Sequence, residues 1–133
     1  GRKRFIMVDT LGHLLGVLVT PANKLEREGA LELLEESLGQ QGWLRRLWVD
    51  GGYSGEKFAS CVKELRARLE VEVVKRSDTA KGFKLLSRRW VVERTFGWLM
   101  QCRRLVRDYE RTVASATGWI HMAMIRIMLR RLA

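Results

Sequence analysis

Two carboxylates in this chain sit where metal and phosphate chemistry is possible. Asp50 ends the apolar run RRLWVD (45–50) and is followed by Gly51 and Gly52. Its carboxylate can therefore project past a sheet edge, while a backbone without side chains leaves room for a phosphate to come close. Tyr53 can stack or hydrogen-bond beside it. Glu93 is a lone acid in RRWVVERTFGWLMQCRR (88–104), with Arg89 one helical turn before it and Gly97 one turn after. Carboxylates with no softer donor nearby suit Mg²⁺ or Mn²⁺, which take oxygen ligands and keep positions open for water and phosphate. Two such ions about 4 Å apart clamp the attacking and leaving oxygens of an in-line phosphoryl displacement. In that chemistry Asp50 and Glu93 are ligands rather than bases. The plainer alternatives are a turn or cap residue at Asp50 and a solvated ion pair between Arg89 and Glu93.

The elements that must hold these acids alternate between strand and helix. RFIMVD (4–9) and LLGVLVT (14–20) are apolar and β-rich and flank TLGH, where Gly12 is free to take a positive φ, so a hairpin is predicted. Thr20-Pro21 leaves strand pairing, and Asn23 with Glu26 three positions later resembles a capping box for a helix burying Ala30, Leu34 and Leu38. Gly39 and Gly42 end it before the Asp50 strand. Ser54 is placed to cap a second helix with Phe58, Val62, Leu65 and Leu69 on one side, and a further strand follows over 71–75. A basic loop leads to the Glu93 helix, which Ser87 can cap and whose stripe of Val91, Thr95, Trp98, Cys102 and Leu105 predicts one continuous element. A closing helix over 114–132 offers Ile120, Met124, Ile127 and Leu132 for packing, its methionines read as core filling. This order implies a single-domain α/β fold, a mixed sheet covered on both faces with an antiparallel hairpin at one side.

Charge is placed unevenly. The formal net charge is +10, yet residues 1–74 carry 11 Lys/Arg against 11 Asp/Glu, while residues 75–133 carry 14 against 4. Such a one-sided excess points to a polyanion, with nucleic acid expected and an anionic membrane surface, through Arg126, Arg130 and Arg131, as the alternative. Lys75, Arg76, Lys81, Lys84, Arg88 and Arg89 surround the approach to Glu93 and are expected to contact phosphates. Trp90, Phe96 and Trp98 can stack on a splayed base, although core packing is the commoner use of aromatics at helical spacing. His13 is assigned no role. With Cys61 and Cys102 far apart and two histidines in all, structural zinc is not expected and a reduced, intracellular setting is. The stretch around Trp119–Ile125 is too short for a membrane span, no signal peptide is visible, and a first residue of Gly rather than Met suggests sequence upstream.

VDTLGHLLGVLVTPAN, LWVDGGYSG, VVKRSD, KGF and RRWVVERTFGWLMQCRRL together resemble the distal half of a DDE transposase of the IS5 type, within the IS4/IS5 superfamily. The resemblance runs over essentially the whole chain. It implies an RNase H-like fold, with Asp50 as the second acid and Glu93 as the third acid of the catalytic triad. It also implies Mg²⁺ or Mn²⁺ as cofactor, DNA as partner, a homo-oligomer when complete, no membrane, and a cytoplasmic, nucleoid-associated location in a prokaryote. Asn23, Gly51, Gly52 and Tyr53 then support the active pole. The family's first acid lies on an opening strand that is central to the sheet, and no residue before Arg4 supplies it; Asp9 is a poor substitute, since its strand runs antiparallel to that of Asp50. Of the superfamily's Y-R-E-K signature, Arg89 and Glu93 match, whereas Leu86 and Met100 stand at the tyrosine and lysine positions, with Arg103 or Arg104 as replacement cations. The expectation is that these 133 residues alone are inactive and marginally stable. The competing reading is a basic DNA-binding fragment without chemistry, or a decayed remnant.

Overall fold

The protein is described here by a computed structural model, which covers residues 1–74 and 90–132. Strand β1 (Arg2–Val8) and strand β2 (Leu14–Pro21) form the expected hairpin, antiparallel with Phe5 opposite Leu18. Gly12 takes a φ of 87° in the turn. Helix α1 (Glu26–Leu38) follows, then strand β3 (Arg46–Val49), a short 3₁₀ turn (Gly51–Tyr53), helix α2 (Glu56–Leu65) and strand β4 (Glu70–Val73). Strands β3 and β4 are parallel, as the α2 crossover between them requires. Helices α3 (Trp90–Leu99), α4 (Arg103–Val106) and α5 (Val113–Leu132) complete the chain.

The single mixed sheet predicted from the sequence is corrected: among the described residues there are two two-stranded sheets, β1-β2 and β3-β4. Their union lies in the helical layer. Leu33, Leu34 and Leu38 of α1 join Phe58 and Val62 of α2, Leu69 and Met7 in one buried cluster, against which Phe5 and Leu18 of the hairpin and Leu47, Val49 and Val71 of the parallel pair also pack. Burying side chains of this size contributes about 1.5–3 kcal/mol each, so α1 holds the two sheets together without a shared hydrogen-bond ladder. Arg66 reinforces the arrangement by donating to the Leu38 and Gln41 carbonyls at the end of α1, which has no basic residue in its own last turn. The other face of the hairpin is covered by α3, α4 and α5 through Val19, Leu99, Leu105, Ala116, Ile120, Ala123 and Met124.

Three local expectations are also corrected. Asn23 does not cap α1: the helix starts from Leu25, in an extended conformation, with no side-chain cap. Ser54 does not cap α2 either, because Gly55 occupies that position at φ 113°, which only a residue without Cβ adopts readily. The Glu93 helix is not continuous, since Gln101 and Cys102 donate to carbonyls three residues back and close α3 before α4 begins. That break lets Leu99 and Leu105 enter the same core cluster. On α5, Ile120 and Met124 are buried as expected, but Met122, Met128 and Leu132 face solvent.

Candidate active site

Asp50 stands just beyond the carboxyl end of β3, exposed, at the start of the GGY turn. Its Oδ1 accepts from the Gly52 N–H at 2.9 Å and its carbonyl from the Tyr53 N–H at 3.1 Å. One carboxylate oxygen thus shapes the turn, and Oδ2 has no hydrogen-bond partner among the described residues. A Cβ built at Gly51 meets nothing within 4 Å, whereas one at Gly52 would lie 3.1 Å from Asp50 Oδ1. The backbone is open at Gly51, while a side chain at Gly52 would crowd the Asp50 carboxylate.

Tyr53 leans on Phe58 with ring centroids 5.4 Å apart. Burial first, then the nearby negative charges of Glu26 and Asp50, push its phenol above the usual tyrosine range, so it remains a neutral donor at ordinary pH. Arg27, which the sequence did not single out, donates to the Ser54 carbonyl at 3.0 Å and to the Gly52 carbonyl at 3.4 Å. The first turn of α1 therefore buttresses the loop behind Asp50. Asn23, exposed three residues before that turn, makes no cap.

Glu93 lies in the first turn of α3 and is exposed. Of the acids in the carboxyl-terminal half, Asp108 is paired with Arg2 at 3.0 Å and Glu110 with Arg104 at 2.7 Å, while Glu93 has no ion-pair or hydrogen-bond partner among the described residues. The Arg89 pairing considered from sequence lies outside the described residues, as do Lys75, Arg76, Lys81, Lys84, Arg88 and Ser87. Arg103 is exposed and unpaired among the described residues. Arg104 is spoken for: besides Glu110 it stacks over Trp119 at 5.3 Å. Phe96 belongs to the core, and Trp98 is half-buried between α3 and the hairpin turn.

Asp9 and His13 are not idle. Asp9 Oδ1 accepts from the N–H groups of Leu11 and His13 at 2.9 Å each, and Oδ2 faces His13 Nδ1 at 3.2 Å. His13 Nε2 faces Arg131 Nη1 at 2.9 Å, so the imidazole lies between Asp9 and the Arg131 guanidinium. His13 thus has a structural role that the sequence did not reveal, and both Asp9 oxygens serve the turn. Among the described residues no three His, Cys, Asp or Glu side chains come together in a metal-binding group. No described helix is long and apolar enough to cross a membrane.

Asp50 and Glu93 are both exposed, Asp50 just past β3 and Glu93 in the first turn of α3. Residues 1–128 match the family described as "Transposase DDE domain". The chain is 32% identical over 118 residues to a protein of Burkholderia cepacia described as a transposase for insertion sequence element IS402, an alignment covering 84% of this chain and 54% of that protein. It therefore spans about half the length of this curated relative. No solved structure matches. With the match extending over nearly every residue, from the hairpin to the last turns of α5, the chain belongs to the DDE transposase domain family.

Proposed function

We propose that the chain is the carboxyl-terminal portion of an IS5-type transposase catalytic domain, acting in DNA transposition by metal-dependent strand cleavage and strand transfer. The observation that carries this reading is the pairing of the family match with two open carboxylates: Asp50 at the end of a parallel strand and Glu93 exposed on α3. Both would ligate Mg²⁺ or Mn²⁺, and the oxygen-only donor set fits a hard cation. The metal, when bound, supplies charge neutralisation at the scissile phosphate. Arg27 and the Asp50–Gly52 hydrogen bond hold the first ligand in place, and the open backbone at Gly51 admits the phosphate.

The first acid of the triad then comes from upstream, on the strand that completes an RNase H-like sheet. The division of the described strands into two pairs supports this, because a central strand beside β1 and β3 would unite them. DNA is the partner, met by Lys75, Arg76, Lys81, Lys84, Arg88, Arg89 and Arg103, with Arg104 joining only by releasing Glu110. Action in the bacterial cytoplasm, at the nucleoid, follows from the same reading. Self-association is supported by α5, which exposes Met122, Ile125, Leu129 and Leu132 at three- and four-residue steps. The second reading, a basic DNA-binding fragment without chemistry or a decayed remnant, rests on the cation excess of residues 75–133.

The test is strand cleavage by the complete protein on a DNA carrying the element's ends. Asp50→Ala and Glu93→Ala are expected to abolish Mg²⁺-dependent cleavage, by about 10³-fold or more, and to leave DNA affinity within about threefold. Cleavage at the unmodified rate by either variant removes that residue from the site.

A further inference from the structure

One contact between the hairpin turn and α3 joins a backbone carbonyl to a buried side chain. Thr95 is fully buried, and its Oγ1 donates to the Gly12 carbonyl at 2.8 Å across 83 residues of sequence. A Cβ placed on Gly12 would lie 2.8 Å from that Oγ1 and 2.8 Å from Cζ3 of Trp98, so the hairpin turn rests directly on the α3 surface. The Arg131 guanidinium lies 4.2 Å from the Trp98 ring centroid, donates to the Leu11 carbonyl at 3.2 Å and also reaches His13. Arg94 lies over the same ring at 4.9 Å. Asp9 sets the shape of the turn from within.

This junction bears on Glu93 through helix geometry. At 100° per residue, Thr95 lies about 160° around α3 from Glu93, and Trp98 shares the Thr95 side. Fixing the Thr95 face against the turn therefore fixes the direction in which the Glu93 carboxylate leaves the opposite face. A rotation of α3 by about 20° would displace a group about 6 Å from the helix axis by about 2 Å, and misplacements of about 1 Å at a reacting centre are enough to cost about 10²-fold in rate. Phe96 and Leu99, which also hold α3 in the carboxyl-terminal cluster, make apolar contacts that lack the directionality of a hydrogen bond.

We infer that Thr95 and Gly12 are positioning residues, a hydrogen-bonded junction between the hairpin turn and α3 that aims Glu93 at the metal. The inference rests on the reading of Glu93 as a ligand. The test uses the complete protein, Mn²⁺ affinity by electron paramagnetic resonance titration, single-turnover cleavage and DNA affinity. Thr95→Val keeps the shape and deletes the donor, whereas Thr95→Ser keeps the donor. The valine variant is expected to bind Mn²⁺ about tenfold more weakly and to cleave about 10- to 100-fold more slowly, with DNA affinity within about threefold of the unmodified protein. The serine variant should restore both properties to within about threefold.

Unmodified Mn²⁺ affinity and cleavage in a folded Thr95→Val protein overturn the inference, as does equal impairment of the serine variant. If the valine variant does not fold, Arg131→Ala, which loosens the same turn from an exposed position, carries the test with an expected Mn²⁺ weakening of about threefold. An unchanged affinity there overturns the proposal. Glu93→Ala separates the two levels: if it binds Mn²⁺ and cleaves normally, the reading of the site fails, whereas a dead Glu93→Ala beside a fully active Thr95→Val sinks only the positioning role.

Discussion

Gly12 is constrained twice over, by its backbone and by its neighbours. Its φ of 87° disfavours any L side chain, and a Cβ there would press on both Thr95 and Trp98 at 2.8 Å. Strain at a positive φ and overpacking each cost about 1–3 kcal/mol, so Gly12→Ala is expected to destabilise the protein by about 2–4 kcal/mol. The check is chemical denaturation, read as a lower midpoint at unchanged slope; a midpoint within error of the unmodified protein would contradict it. The positive φ was readable from a Gly between two strands, but the contact it makes was not, because Thr95 lies 83 residues away. The same holds for His13, whose partners are a near neighbour, Asp9, and a distant one, Arg131. The placement of Asp50 was legible because its pattern is local, an acid before two glycines at a strand end. Arg27 was missed, since nothing near it in sequence marks it as the brace of a loop 25 residues on.

At the scale of elements, hydrophobic period located the hairpin, α1, β4 and α5, ran α2 on to Leu69 although it ends at the exposed Leu65 and Leu69 is buried just before β4, and erred where a backbone detail decided. Caps were assigned by residue type to Asn23 and Ser54, yet the cap positions of α1 and α2 lie two residues and one residue later, at Leu25 and Gly55. The stripe through Val91, Thr95, Trp98, Cys102 and Leu105 was real as a packing pattern but did not require one helix, because a tight turn at 100–102 also delivers Leu105 to the core. Edges matter more than caps for the behaviour of this chain. The Ala22 N–H bonds the Gly1 carbonyl, so with the observed register Lys3, Phe5 and Met7 bond toward β2, and Arg4 and Ile6 turn their backbone groups to the outer edge of β1. In the 133-residue chain the Arg4 and Ile6 amides should exchange with solvent at least about tenfold faster than those of Phe5 and Met7, measured by NMR-detected hydrogen exchange. Equal protection of all four would mean that the β1 edge is already covered.

For the molecule as a whole, the uneven charge and the two-part architecture belong together. The amino-terminal 74 residues are balanced in charge and build the hairpin, the parallel pair and the α1–α2 layer, while the excess of cations falls on the segment that carries Glu93 and the helices behind it. Apart from the break between α3 and α4, the order and type of the elements were legible because each is set by local pattern; the separation into two sheets was not, because strand adjacency is a long-range property. The central claim is that Asp50 and Glu93, on separate elements, serve one metal centre. Its most direct test is to replace Mg²⁺ by Fe²⁺ in the complete protein and map backbone scission after addition of peroxide and ascorbate. Cuts within a few residues of both Asp50 and Glu93, suppressed together by excess Mg²⁺ and both lost in Asp50→Ala, are the predicted result. Scission near only one of the two acids, or cuts around Glu93 that persist unchanged in Asp50→Ala, would contradict a shared centre.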